Sequence, residues 1–169
     1  SHSLIVVCSG TPSGTSNTNW NWSIIRACND FLDNYAQSPE SETVKQKYAG
    51  QVLFFKTMDY FNKLNAYGDL PWYEHVLNPG DEDLYKGRDS RTVVADNMLR
   101  DIDQAIAWMP KASHVTLVGK EAALALKARF CLFEGTWRRY HNIEGDTKFL
   151  QEAYNAASEL MKSEYGFSL

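Results

Sequence analysis

The chain reads as an all-α protein, an array of about five helices joined by long irregular connections. Three observations predict this class. Apolar residues recur at spacings of three and four in five separate segments, the period of a helix that buries a face. Residues that start and stop helices stand at the ends of those segments. No convincing pair of strands accompanies them. At 169 residues with 44% hydrophobic content, the chain is long enough for one domain with a sizeable core.

Residues 1–19 open with a strand-like apolar run, Leu4 to Cys8, followed by SGTPSGTSNTN, whose composition favours turns. They are expected to form an extended N-terminal segment ahead of a helical domain over 20–169. From Trp20, Ile25, Cys28, Leu32 and Tyr35 recur at three, four and three, with Ile24 and Phe31 widening the face and Pro39 stopping it. Ser41-Glu42-Thr43 opens a second helix. There Val44, Tyr48, Val52, Phe55 and Met58 make one stripe and Phe54, Phe61 and Leu64 another, which predicts neighbours on two sides. Gly68 suits a left-handed cap, and Asp69-Leu70-Pro71 turns the chain away.

Residues 68–89 hold two of the five prolines and three of the ten glycines without a sustained period, so they read as an extended connection. Ser90 is placed to cap a third helix with Ala95, Leu99, Ile102, Ile106 and Met109 inside. Asp96, Arg100, Asp101 and Asp103 form its wet face, and Pro110 closes it. The fourth helix, Lys120 to His141, has two apolar stripes. Leu124, Ala128, Cys131 and Leu132 form one, and Leu126, Phe130, Phe133 and Trp137 the other, so it is expected to be squeezed between neighbours. A fifth begins near Asp146-Thr147, carries Leu150, Ala153, Tyr154, Ala157, Leu160 and Met161, and ends by Gly166. An alanine-rich helix beside an aromatic-rich one is packing of the tetratricopeptide kind. The connections are too uneven for a strict repeat of about 34 residues, so the architecture is TPR-like, an alpha-alpha superhelix.

Composition narrows the function. A net charge of -4, from 17 basic and 21 acidic residues, gives no electrostatic reason to expect a nucleic acid partner. Cys8, Cys28 and Cys131 form no CxxC pair, and the latter two fall on apolar helix faces as buried thiols. No apolar run approaches the roughly 20 residues of a membrane span. HExxH, GxSxG and phosphate-loop signatures are absent, so neither a metal, a cofactor nor a catalytic residue is expected. Asp101 and Asp103, on different sides of one helix, make a poor glycosidase pair. Asp81-Glu82-Asp83 lacks the glycine and distal glutamate of a calcium loop and reads as solvated.

Four stretches, NWSIIRACNDFLDNY (21–35), AGQVLFFKTMDYFNKLNAYGDLPW (49–72), SRTVVADNMLRDIDQAIAWMP (90–110) and GKEAALALKARFCLFEGTWRRYH (119–141), together resemble the N-terminal part of the SusD/RagB family of outer-membrane nutrient-binding lipoproteins. FLQEAYNAASELMKSEYGFSL (149–169) continues the same succession, so the resemblance covers residues 20–169. It implies a TPR-like scaffold that corresponds to the first half of a longer lipid-anchored surface protein. Such a protein captures oligosaccharide, or in some members peptide, without catalysis and serves a SusC-like TonB-dependent transporter. The alternative from another class is a TPR-like module that binds a protein or peptide.

Glycan capture needs aromatic faces and amides. The segment Asn17-Thr18-Asn19-Trp20-Asn21-Trp22 alternates the two just before a helix, and the resemblance nominates Asn17, Asn19 and Trp20 as ligand contacts. The competing reading is that Trp22, with or without Trp20, staples the helix start to the core. Trp72 and Tyr73 are the second pair of ligand candidates, against a role for Trp72 as a plug after the preceding turn. Trp108 and Trp137 are assigned to packing.

Overall fold

The computed structural model describes residues 20–114, 116–162 and 165. The strand-like run and loop expected over 1–19, with Cys8, Asn17 and Asn19, lie outside the described residues, as does Gly166. Five α-helices follow one another: α1 (Ser23–Asn34), α2 (Glu42–Tyr67), α3 (Arg91–Trp108), α4 (Lys120–Tyr140) and α5 (Asp146–Leu160). The all-α class stands; among the described residues one isolated bridge, Leu70 to Asp89, closes the base of the long connection.

The helix ends follow from local chemistry. Ser41 and Ser90 adopt extended dihedrals, and each hydroxyl accepts the N–H three residues on, from Val44 and Val93. Met109 leaves α3 in extended conformation because Pro110 follows it. Gly68 closes α2 at φ +73°, and Gly145 precedes α5 in the left-handed region at φ +85°. Helix α1 begins at Ser23, later than Trp20, because the Asn21 side chain takes the Ser23 N–H at 2.8 Å and holds the preceding backbone out of the helix.

Neighbouring helices run antiparallel. Gly50 of α2 lies against Met109 and Arg91 of α3 reaches Leu64, while Lys127 and Arg138 of α4 meet Glu152 and Phe149 of α5. The core between them contains Tyr60, Leu64, Met98, Ile102, Phe130 and Phe149. Edge-to-face contacts of Phe130 with Phe61 at 5.8 Å and Phe149 at 5.7 Å tie α2, α4 and α5 together. Glu134, wholly buried, bridges Arg91 of α3 and Arg138 of its own helix.

Several sequence expectations about facing are corrected. The stripe of Tyr48, Phe55 and Met58 on α2 is exposed, because α1, α3 and α4 all meet the opposite arc that carries Leu53, Tyr60, Phe61 and Leu64. Ile24 and Phe31 of α1 point outward, and so does Leu132 of α4, whose main neighbour α5 packs on the side of Gly135, while Phe133, partly exposed, keeps an edge-to-face contact with Phe61 of α2. In α5 the inward residues are Phe149, Ala153 and Ala156, leaving Tyr154, Ala157 and Met161 exposed. Asp101 is 6% exposed and not on a wet face. It shares the helical row of Val94, Met98 and Ala105, and Lys56 of α2 meets it at 3.7 Å. Burial raises the Asp101 carboxyl pKa and lowers that of the Lys56 ammonium; Lys56 and Arg100 oppose the shift at Asp101, and Asp101 and Glu74 oppose it at Lys56. Among the described residues no helix is long and apolar enough to cross a membrane.

Candidate ligand-binding site

The 68–90 connection has no regular period, yet residues 71–76 are tightly held, because their backbone groups are bonded by side chains from three other parts of the chain. Asp89 accepts the Trp72 N–H at 2.7 Å, and Lys86 donates to the Trp72 carbonyl at 2.5 Å. The Tyr60 hydroxyl of α2 accepts the Tyr73 N–H at 2.8 Å and donates to the Pro71 carbonyl at 3.3 Å. Burial pushes the Tyr60 phenol pKa up, which keeps it a donor. From α1, the Asn29 amide donates to the carbonyls of Tyr73 and His75 at 3.0 and 3.1 Å. Asp33, one turn later, takes the Val76 N–H at 3.0 Å and pairs with His75 Nδ1 at 2.7 Å. Partial burial pushes the Asp33 carboxyl up, but the bonds from His75 and Val76 outweigh it and hold the group below the usual carboxylate range.

This arrangement separates the two aromatic candidates of the connection. Trp72 is 5% exposed, with its ring 4.2 Å from Tyr60 and the Lys56 ammonium 5.0 Å from its centroid. Tyr73 is half-buried and stands at the edge of a groove of about 310 Å³ between α1 and the connection. Trp22, Ile25, Leu77 and Leu84 supply its apolar walls, and Arg26 spans it to the Leu77 carbonyl at 2.8 Å. On the other side of Tyr73 is a more polar recess of about 270 Å³ lined by Glu74, Asp83 and Lys86. Burial raises the Tyr73 phenol pKa, with Asp83 and Asp89 adding to the effect, so the side chain presents a neutral hydroxyl beside its ring.

Trp20 reaches the same place through Trp22. The rings of Trp20 and Trp22 meet edge to face at 5.2 Å, and Trp22 meets Tyr73 at 5.5 Å and Tyr60 at 6.0 Å. Trp20 also rests on Tyr67 at 4.9 Å, with the Arg88 guanidinium 5.1 Å from its ring. The structure therefore brings Trp20, Trp72 and Tyr73 into one aromatic cluster. Trp22, read from sequence as a staple, is the joint between them. Asn17 and Asn19 lie outside the described residues.

Asn29, Asp33, Tyr60 and His75 were not marked by sequence reasoning. One signal was present: Asn29 stands four residues after Ile25, on the buried row of α1 where an apolar residue belongs. Among the described residues no three His, Cys, Asp or Glu side chains converge as a metal-holding group. Asp81 accepts the Asn78 N–H at 2.6 Å while Glu82 and Asp83 are exposed in a short 3-10 turn, Glu82–Tyr85.

A family model described as SusD-like, starch-binding associating with outer membrane, matches residues 9–132. Among solved structures, a SusD-like protein from Bacteroides fragilis NCTC 9343 is similar at 25% identity and a TM-score of 0.72, over 86% of this chain and 26% of that one. A laminarin-binding SusD-like protein has the same fold at 18% identity and a TM-score of 0.72, over 94% of this chain and 32% of that one. A structure with xylogluco-oligosaccharide matches at 19% identity and a TM-score of 0.71, over 89% of this chain and 30% of that one. The chain thus spans between about a quarter and a third of the length of these structures. No curated protein matches it. The family match runs through the entry to α1, the strap at 71–76 and most of α4, and the chain belongs to the SusD-like family.

Proposed function

We propose that this chain is the helical N-terminal part of a non-catalytic glycan-binding protein of the outer-membrane surface. The parent protein is lipid-anchored and delivers oligosaccharide to a SusC-like TonB-dependent transporter. The observation that carries this reading is the aromatic wall that Trp22 and Tyr73 form at the groove, backed by Trp20 edge-on to Trp22, in a chain of the SusD-like family. Aromatic faces match the C–H surfaces of a sugar ring, and the Tyr73 hydroxyl, Arg26 and His75 are placed to bond its hydroxyls. In this reading Trp72 supports the wall from beneath, and Asn17 and Asn19 add amides from the preceding segment. Buried acids serve ion pairs here, Asp101 with Lys56 and Glu134 with two arginines, which agrees with a binding role.

The exposed stripe of Tyr48, Phe55 and Met58 favours a second reading, a face that holds a protein or peptide. Since the solved relatives are about three times as long, we assign that stripe to contact with the remainder of the SusD-like fold.

Affinity electrophoresis separates the two readings. Gels containing starch, laminarin or xyloglucan should retard the chain, and Tyr73→Ala and Trp20→Ala should each release it, whereas Tyr154→Ala on exposed α5 should not. Free migration through all three gels, together with binding of peptides from a displayed library that Phe55→Ala abolishes, would overturn the glycan reading.

A further inference from the structure

The groove exists only while residues 73–76 stay against α1, and the sole side chains of α1 that bond their backbone, among the described residues, are Asn29 and Asp33. Asn29 is 1% exposed, and its single amide group bonds two carbonyls 44 and 46 residues away, with Tyr73 and His75 as their owners. Two acceptors on one nitrogen fix the orientation of the amide. The other half of the same amide is at a disadvantage, since Oδ1 is buried with no hydrogen-bond partner among the described residues. An apolar side chain on this row would fill space without an orphan acceptor, so the reason for an amide here is what Nδ2 does. Asp33 completes the clasp on the next turn by receiving Val76 N–H and His75 Nδ1.

We propose that Asn29, assisted by Asp33, is a positioning residue for ligand capture: it clasps the 73–76 backbone to α1, so that Tyr73 flanks a groove formed before any ligand arrives. The assignment of the groove to glycan rests on the function proposed above; the clasp itself does not. A preformed groove spares the ligand the entropy of ordering a loop, so loss of the clasp weakens binding even though the Tyr73 ring itself is retained.

The test uses the full 169-residue chain and reads two properties. Hydrogen exchange by mass spectrometry follows peptides covering 71–77, with peptides from α3 and α4 as internal controls. Asn29→Ala and the isosteric Asn29→Asp, which puts an acceptor against two carbonyls, should each speed exchange in 71–77 about tenfold or more while α3 and α4 exchange as before. Asp33→Ala, at an exposed position, should open the same peptide and serves as the second route if Asn29 variants fail to fold. Retardation by whichever of starch, laminarin and xyloglucan holds the wild type should drop by a similar factor. Unchanged exchange in 71–77, acceleration shared equally by α3 and α4, or full exchange protection in Asn29→Asp would each overturn the clasp. If no polysaccharide retards the wild type, the glycan reading fails while the exchange result still decides the clasp.

Discussion

Glu134→Gln tests the buried charge that locks α3 and α4 and so fixes the far end of the 68–90 connection. Glu134 is 0% exposed, with Oε2 accepting Arg91 Nε at 2.9 Å and lying 2.8 Å from Nη2, and Oε1 accepting Arg138 Nε at 2.8 Å. The arginines spend their other donors on carbonyls of Leu64, Thr92 and Glu144, so their geometry is set from several sides. Glutamine keeps the shape and removes the charge. Two buried guanidiniums then face each other's field, and the carboxylate left beside them among the described residues is the half-exposed Asp96, 3.6 Å from Arg138 and shared with Lys148. Removing one partner of a buried ion pair costs about 3–5 kcal/mol, because the remaining charge has lost its water without keeping its counterion. At roughly 2–4 °C per kcal/mol for a chain of this size, melting followed by circular dichroism should fall by about 6–20 °C. The triple replacement Arg91→Met, Glu134→Leu, Arg138→Met should recover most of that loss, since no charge is stranded. A Tm for Glu134→Gln within about 2 °C of wild type would refute the reasoning, because the network would then be worth no more than a surface pair.

Three further perturbations probe the helical pairs and the site's surroundings. Gly135→Ala adds about 1 kcal/mol of helix propensity, but its Cβ would lie 2.8 Å from Leu150 Cγ and 2.9 Å from Leu150 N. Overpacking at about 1–3 kcal/mol wins, and the melting temperature should drop by a few degrees; a rise would show that α5 yields freely. Asp146 is held below the usual carboxylate range by its Arg139 bond at 2.8 Å and by the backbone of Thr147. A depressed folded pKa gives stability that is present above about pH 4 and lost as pH falls through the folded value. The Tm gap between wild type and Asp146→Asn should therefore close on acidification, and a gap that widens there would reverse the sign. Burial raises both the Cys28 and Cys131 thiols, the latter to about 12. In a Cys8→Ser background, iodoacetamide at about pH 8 should label neither in the native chain and both after denaturation. Prompt native labelling of Cys131 would mean that the α4 core opens.

The existence and order of the five helices were legible because each carries a period and a terminator. Ser41, Ser90, Gly68 and Pro110 act locally, and local chemistry survives into the fold. Which apolar stripe faces inward was less legible. Tyr48, Phe55 and Met58 have the same spacing as a core stripe, and only the placement of α1, α3 and α4 decides that they stay outside. Polar residues on buried rows misled in the other direction. Asp101 and Asn29 each occupy a position where the period asks for an apolar side chain, and each has a partner distant in sequence, Lys56 and the 73–75 backbone, that no local rule names.

The same limit explains the fate of Trp72 and Tyr73, neighbours that sequence reasoning treated as a pair. In an extended segment, successive side chains point to opposite sides, so one of the two must turn inward. The choice of phase is made by bonds to the backbone between them: Asp89 and Lys86 grip Trp72, and the Tyr60 hydroxyl grips Tyr73. With those anchors Trp72 stacks over Tyr60 and Lys56, and Tyr73 meets Trp22 at the groove. A one-residue slip would exchange them, placing the phenol against the buried Lys56–Asp101 pair and the indole at the groove. The aromatic character of the site is thus written in the sequence, but the residue that presents it is chosen by side chains up to 46 positions away. That is why a clasp made from α1, an element whose contribution of rings to the groove is Trp22 at its entry, governs the shape of the groove proposed to hold glycan.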